Sequence, residues 1–197
     1  MTPQYLRSLY PSAQPGQYVV LGYTDPLGKA VIHEDFFDVS DPDWPTRLLE
    51  RTKVLGSEQR STFVYRGLAS CHSRKDQDVV ACHYVAVDYD TKDGYPRDLS
   101  TLWAALEELK LPRPTFLQRT SQKGYTAIWL LTTPERQGDN HNANLIKALK
   151  GTKAWQGYKL DSTGNMARAV RLLGSINYKI EYGPDFPTVE PVEVNNA

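Results

Sequence analysis

The sequence predicts one α/β or α+β domain built on a single mixed or antiparallel sheet. Three observations lead to this fold class. The chain has 197 residues, the size of one ordinary domain. Apolar runs of strand length alternate along it with amphipathic runs of helix length. Its 13 prolines and 13 glycines are scattered, not pooled in a linker, so no boundary inside the domain is expected.

The expected elements mix strands and helices along the whole chain. Residues 1–16 hold three prolines and little apolar pattern, so they are expected to be an irregular lead-in. Runs rich in β-branched and aromatic residues predict strands at 18–23, 30–33, 62–68, 84–90, 115–119, 125–131 and 176–182. Helical spacing predicts helices at 46–55, 99–109, 142–150 and about 164–170. The domain is expected to cover 17–190, with 191–197 as a tail or the start of a linker.

Turn and stop signals separate these elements. Asp25-Pro26-Leu27-Gly28 divides the first two strands, and Gly56 follows the last apolar residue of the first helix. A Ser-Gln-Lys-Gly turn at 121–124 joins two later strands. These signals favour a small sheet with short connections, covered by helices.

Composition excludes some classes of function. The 23 basic and 23 acidic residues cancel, which argues against a uniformly basic nucleic-acid coat. The net charge of zero conceals an uneven distribution of charge along the chain. Residues 147–179 hold seven Lys or Arg against one acid, whereas 180–197 hold four acids and no base. No apolar run reaches the ~18 residues that span a bilayer, so no membrane partner is expected. No signal-peptide core opens the chain and its two cysteines make no disulfide framework, so a cytoplasmic location is expected.

The most informative segment is an apolar strand, 84–90, that ends in two aspartates. Asp88 and Asp90 are two residues apart, so on a strand they project from the same face. Neighbouring carboxylates repel each other, and a bound Mg²⁺ or Mn²⁺ ion relieves this electrostatic repulsion because both carboxylates coordinate it. The alternative is a pair of solvated residues at a strand end. On Asp-x-Asp alone, that alternative is preferred.

A second segment, 159–179, is dense in groups that suit phosphate. It holds a third carboxylate, Asp161, which is otherwise a turn or N-cap residue. Arg168 and Arg171 would share a helical face, and Asn177 and Lys179 a strand face. Their alternative is a solvated basic face. The turn with Ser121, Lys123 and Gly124 likewise suits a triphosphate, although a plain hairpin connection would carry the same residues.

Taken in order, these segments resemble the archaeo-eukaryotic primases, specifically the prim-pol domains of plasmids, phages and other mobile elements. Val87-Asp88-Tyr89-Asp90 is similar to the hydrophobic-Asp-x-Asp motif of that family. The block from Ser121 to Leu131 is similar to its Ser-x-Gly-x-His strand, turn and strand. Asp161 with 167–179 resembles its third-Asp block. The resemblance covers about 17–190, and three motifs in the right order are far more specific than any one.

The resemblance implies a sheet like that of an RNA-recognition fold, with flanking helices and a small N-terminal α/β lobe. The implied activity is that of a DNA primase/polymerase, a nucleotidyltransferase acting in the replication of a mobile element. Two Mg²⁺ or Mn²⁺ ions would be held by Asp88, Asp90 and Asp161. The implied nucleotide-binding residues are Ser121, Lys123, Thr126, Arg168, Arg171, Asn177 and Lys179. The implied partners are single-stranded DNA template, dNTP or NTP and a replicative helicase, fused or separate.

One departure from the family affects activity. Thr126 holds the position of the family's His, and threonine carries no charge near pH 7. Lys123 or Arg119 is a candidate for the missing cation. The alternative function is a catalytically impaired, primase-like nucleic-acid-binding module that acts with a helicase or replication partner. A third is a different metal-dependent nucleotidyltransferase or nuclease, which leaves the block 171–179 unexplained.

Two Cys-His pairs raise a separate question. Cys71-His72 and Cys82-His83 invite a zinc site, but their spacing does not match the usual Cys-x₂₋₄-Cys knuckles. We prefer a surface loop and a partly buried strand start, with a structural zinc as the alternative. His83 lies an odd number of residues before Asp88, so it is expected to face away from the aspartates.

Overall fold

Nine strands and four α-helices make up the described part of the chain. The structure is a computed structural model that describes residues 2–28, 32–73, 75–90, 98–158, 160 and 164–192. The helices are α1 (Pro3–Leu9), α2 (Trp44–Ser57), α3 (Leu99–Leu109) and α4 (His141–Gly151). The strands are β1 (Tyr18–Thr24), β2 (Ile32–Asp38), β3 (Thr62–Tyr65), β4 (Gly67–Ala69), β5 (Val79–Asp90), β6 (Phe116–Arg119), β7 (Gly124–Glu135), β8 (Ala169–Arg171) and β9 (Glu190–Val192).

The strands form one sheet in the order β8-β3-β1-β4-β5-β7-β6-β9, with β2 added to β1. All the named strand pairings are antiparallel. The predicted fold class is therefore confirmed: an α+β domain with a large antiparallel sheet. None of the helices in the described ranges has the length and apolar character to cross a bilayer.

The two faces of the long strand β5 pack against different hydrophobic cores. Tyr84 and Ala86 point to the core that α1 and α2 cover, whereas Val85 and Val87 point to the core that α3 and α4 cover. This follows from the two-residue period of a strand. Asp88 and Asp90 continue the row of Tyr84 and Ala86, so they face the α1 and α2 side of the sheet.

Most predicted elements are present, and four expectations are wrong. The lead-in is not irregular, because α1 spans Pro3–Leu9: Thr2 accepts a bond from the Tyr5 N–H at its start, and Leu6 and Leu9 are buried. The strand expected at 62–68 breaks at Arg66, whose N–H donates to the Arg168 carbonyl at 2.7 Å, outside the sheet.

The other two wrong expectations concern elements in the C-terminal third of the chain. The helix expected at 164–170 is absent from its described part, because Val170 is buried opposite Val64 and β8 pairs with β3. The strand expected at 176–182 is also absent: Ile176 forms one isolated bridge with Thr188, and Ile180–Tyr182 is a 3₁₀ turn. Sheet pairing and tertiary contacts override the local pattern in both cases. Two residues of the expected tail, Pro191 and Val192, join the sheet with Glu190 as β9.

Candidate active site

The site begins as a row of polar side chains across three neighbouring strands. Asp88 on β5 lies opposite Thr126 on β7, which lies opposite Gln118 on β6. Since cross-strand partners share a face, all three point to the same side of the sheet. On this face, Ala86 and the Ile128 opposite it are the last residues of the hydrophobic core before the polar row begins.

Gly124 makes room for the second aspartate. It lies opposite Asp90, and a Cβ placed on it would lie 2.8 Å from Asp90 Oδ1 and 2.7 Å from Ser121 Oγ. Real Cβ atoms do not approach oxygen so closely, so any side chain here would displace one of these groups. The glycine therefore allows a carboxylate and a hydroxyl to stand together at the strand end.

The 121–124 turn is held by its own backbone and hydroxyl. The Thr120 N–H donates to the Gly124 carbonyl at 2.8 Å, and the Lys123 N–H donates to Ser121 Oγ at 3.2 Å. Ser121 is buried by these contacts, whereas Lys123 is exposed. The predicted turn is confirmed, and it presents one buried hydroxyl and one solvated cation.

These residues surround a cavity of about 400 Å³. Seven of the ten residues predicted for the site line it: Asp88, Asp90, Ser121, Thr126, Arg171, Asn177 and Lys179. The same wall includes residues to which sequence reasoning gave no role: Phe63, Tyr89, Thr120, Tyr125, Ala169, Glu181 and Tyr182. Lys123 and Arg168 are not in the lining. Asp161 lies outside the described residues.

Acidic and basic side chains both line this cavity, and Lys179 Nζ lies 3.7 Å from Glu181 Oε1. Burial lowers the pKa of Arg171, and the charge of Asp88 acts in the opposite direction. Arg171 Nη1 and Asn177 Oδ1 are buried and have no hydrogen-bond partner among the described residues. Because leaving buried polar atoms unsatisfied is costly, these two atoms are a donor and an acceptor available for a ligand.

Asp88 is held from two sides. Thr126 Oγ1 donates a hydrogen bond to Asp88 Oδ1, and Arg168 Nη2 donates to Asp88 Oδ2 at 2.6 Å. The Arg168 side chain is only 5% exposed, whereas that of Asp88 is 37% exposed. The guanidinium thus supports the carboxylate from the protein interior, and Thr126 at the family's His position contacts the same carboxylate.

The chemistry of the two aspartates fits a divalent cation. They present hard oxygen donors on one face of a strand, at a cavity wide enough for a ligand. A carboxylate accepts about four hydrogen bonds or metal contacts, and the described contacts use two of those on Asp88. Among the described residues, no group of three or more His, Cys, Asp or Glu side chains is arranged so that it could hold a metal ion. The expected third ligand, Asp161, lies outside these residues.

A buried ion pair behind the site gave no recognisable signal in the sequence. Arg66 donates to Glu135 and, at 3.1 Å, to the Tyr84 carbonyl; both charged side chains are buried. Arg66 Nη2 also donates to the Asn165 carbonyl at 3.1 Å. The pair therefore ties β5 and β7 to the segment that carries Arg168.

The two Cys-His pairs lie away from this site. Cys71 is exposed and Cys82 is buried. The ring of His72 stacks on Phe36, and His83 Nδ1 lies 3.2 Å from Ser12 Oγ. His83 is buried at the opposite end of β5 from the aspartates.

Comparison with known proteins extends the geometric description. No family model matches the sequence, and no curated protein matches it. Among solved structures, the chain is similar to the AEP domain of the primase-polymerase of cyanophage S-2L, with a TM-score of 0.65 and 16% identity, over 98% of this chain and 89% of that one.

Two further similar structures are of the primase RepB'. For one, the TM-score is 0.58 at 14% identity, over 100% of this chain and 58% of that one. The other is the catalytic domain of RepB' in complex with initiator DNA. Its TM-score is 0.58 at 15% identity, over 99% of this chain and 86% of that one. These likenesses define an α+β fold shared with primases and primase-polymerases. The chain has the archaeo-eukaryotic primase fold, and the resemblance to prim-pol domains inferred from its motifs is confirmed at the level of the fold.

Proposed function

We propose that this chain is a primase/polymerase-type nucleotidyltransferase that copies single-stranded DNA in a reaction dependent on Mg²⁺ or Mn²⁺. One observation carries the proposal. In a primase fold, Asp88 and Asp90 share a cavity with Arg171, Asn177 and Lys179. Carboxylates and cations that line one cavity suit a nucleoside triphosphate bound with its metal ions.

The proposed tasks fall to residues that line the cavity and to two of their neighbours in the sequence motifs. Asp88 and Asp90 would hold the cations, with Asp161 as the third ligand. Bound divalent cations would lower the pKa of the attacking hydroxyl and neutralise the triphosphate and the leaving pyrophosphate. Arg171 and Lys179 bind phosphate oxygens, and Ser121 donates a hydrogen bond to them. Lys123, exposed on the same turn, supplies a further cation.

The proposed partners follow from the chemistry and from the similar structures. One of them is a primase catalytic domain in complex with initiator DNA, which supports DNA as the polymer bound here. Nucleotides, dNTP or NTP, occupy the cavity. We also propose that the chain serves the replication of a plasmid or phage, in the cytoplasm and beside a helicase, as the motif resemblance implies.

The second candidate function is an impaired, primase-like DNA-binding module. The observation that favours it is the contact of Thr126 with Asp88. The family's His would bring an imidazole to this position, whereas threonine brings a neutral hydroxyl that bonds to the metal-binding carboxylate instead. On this alternative, DNA binding is retained and nucleotidyl transfer is lost.

Primer extension and de novo synthesis on single-stranded DNA distinguish the two candidates. We expect product with Mg²⁺ or Mn²⁺ and dNTPs or NTPs, and none from the Asp88→Asn/Asp90→Asn double variant. Asp185→Asn is the matched control, because Asp185 is exposed and does not line the cavity. Its activity should equal that of the native chain.

The opposite result identifies the alternative. No product with either metal, together with DNA binding by the native chain, would contradict the enzyme and support the module. Thr126→His then tests the cause: if the missing imidazole is the only defect, this change restores synthesis.

A further inference from the structure

The contact between Arg168 and Asp88 suggests a role that phosphate binding does not cover. Arg168 donates to Asp88 Oδ2 at 2.6 Å, is almost fully buried, and does not line the cavity. Arg171, three residues later, does line it. Two arginines of one segment therefore differ in position: Arg171 meets the ligand space, and Arg168 meets a metal-binding carboxylate.

We propose that Arg168 is a built-in counter-ion of Asp88, which a divalent cation displaces when it binds. The inference rests on the proposed function, since it takes Asp88 as a metal ligand. A guanidinium and a divalent metal ion compete for the same carboxylate oxygens, because both are cations that bind through the oxygen lone pairs. Arg168 is in this sense a positioning residue that sets how tightly the site takes its cation.

The surroundings of the pair favour this role. Two adjacent carboxylates repel each other when no cation is bound, and the guanidinium offsets that repulsion at Asp88. Thr126 holds Asp88 Oδ1 at the same time, so the carboxylate keeps its orientation while Oδ2 changes partner. The backbone beside Arg168 is fixed independently, because its carbonyl accepts from the Arg66 N–H at 2.7 Å. Only the Arg168 side chain has to move.

Direct binding of Mn²⁺, followed by the EPR signal of the free ion without DNA or nucleotide, tests the proposal. Removing the competitor should tighten binding, so Arg168→Gln should bind Mn²⁺ about tenfold more tightly than the native chain, the scale of one charge-assisted hydrogen bond. Arg171→Gln is the matched control, because it removes the same charge from the cavity without breaking a described bond to Asp88. It should tighten binding by about threefold at most.

The outcomes separate this proposal from the proposed function. Binding that is unchanged or weaker in Arg168→Gln, or tightened no more than in Arg171→Gln, overturns the counter-ion role and leaves the metal site standing. Binding that survives in Asp88→Asn/Asp90→Asn overturns the proposed metal site. No Mn²⁺ binding by the native chain or by Arg168→Gln overturns both proposals.

A second measurement follows the contact between Arg168 and Asp88 in the native chain. The guanidinium ¹⁵N–¹H signals of Arg168, assigned with Arg168→Lys, report on its bond to Asp88. Titration with diamagnetic Mg²⁺ should shift and broaden them as the bond is released, while the signals of Arg47, paired with Asp41 on the surface, stay unchanged. Arg168 signals that stay in place while Mg²⁺ binds contradict the proposal.

Discussion

The candidate site is built from two regions that hold their residues by different means. On the strand pair β5 and β7, Asp88, Thr126 and Asp90 take their places from a regular antiparallel register. In residues 164–182, the longest described strand has three residues, and contacts from distant parts of the chain fix the backbone. Gln118 donates to the Arg171 carbonyl at 2.8 Å, and Asn177 donates to the Thr120 carbonyl at 3.1 Å.

The carboxylates and the cations of the site therefore come from different regions: Asp88 and Asp90 lie on paired strands, whereas Arg171 and Lys179 lie in the segment 164–182. The register of paired strands fixes side chains with little freedom, which suits groups that share a metal ion. The segment 164–182 is held instead by hydrogen bonds to distant parts of the chain. The predictions below test each region in turn, beginning with the contact that joins them.

The largest effect is expected at the buried pair that links the two regions. Arg66→Met leaves the Glu135 charge buried without its partner and removes the bond to Asn165, so it should lower the free energy of unfolding by about 3–5 kcal/mol. Urea denaturation measures this. The double variant Arg66→Met/Glu135→Leu should recover most of the loss. A loss below ~1 kcal/mol in the single variant would show that the pair does not join the regions.

The next largest effect is expected on the strand pair β5 and β7, from a substitution of Gly124. The added methyl group of Gly124→Ala displaces Asp90 or Ser121, so we expect activity to fall by about a hundredfold, as misplacing a catalytic group by about 1 Å does. Gly56→Ala is the control, because nothing lies within 4 Å of its Cβ position and alanine favours helix α2. Its activity should be unchanged. Equal activity in both variants would contradict the close approach that Gly124 permits.

The regions also differ in how much of each could be predicted from the sequence. The β5 aspartates, the 121–124 turn and helix 99–109 follow from periodicity and turn chemistry, which are local. The helix expected at 164–170 and the strand expected at 176–182 do not form, because pairing of β8 with β3 and the bridge from Ile176 to Thr188 decide those backbones.

Residues that act through distant contacts were the hardest to find. Glu135 and Phe63 lie outside the three motifs, so no local pattern indicates that Glu135 joins a buried ion pair or that Phe63 lines the cavity. Seven of the ten residues predicted for the site line one cavity, because motif order substitutes for knowledge of the fold. Placement of Arg168 beneath Asp88, outside the cavity lining, needed the structure.

A smaller effect is expected from the hydroxyl of Thr126. Thr126→Val keeps the shape of the side chain and removes one hydrogen bond to Asp88, so we expect activity to fall about tenfold, the equivalent of ~1.4 kcal/mol. Thr126→Ser keeps the hydroxyl and should stay within about threefold of the native chain. Steady-state primer extension measures both. If valine is tolerated as well as serine, the hydroxyl does not orient Asp88.

The smallest effect concerns the far end of β5. Burial lowers the pKa of His83, so below its ordinary pKa of 6.5 the unfolded chain takes up a proton that the folded chain does not. Stability should therefore fall as the pH is lowered from 7.5 through 6.5 towards the folded-state pKa. Thermal unfolding of His83→Gln should lose this part of the pH dependence, whereas exposed His141→Gln should keep it. Identical pH profiles in the two variants would show that His83 does not contribute.

The central claim is that Asp88 and Asp90 form one metal site in the cavity that Arg171 also lines. Anomalous diffraction from crystals grown with Mn²⁺ and a non-hydrolysable dNTP tests it most directly. The account predicts a manganese peak within about 2.5 Å of carboxylate oxygens of both Asp88 and Asp90, with the triphosphate between that peak and Arg171. A crystal in which the nucleotide is bound but manganese lies away from both aspartates would contradict it.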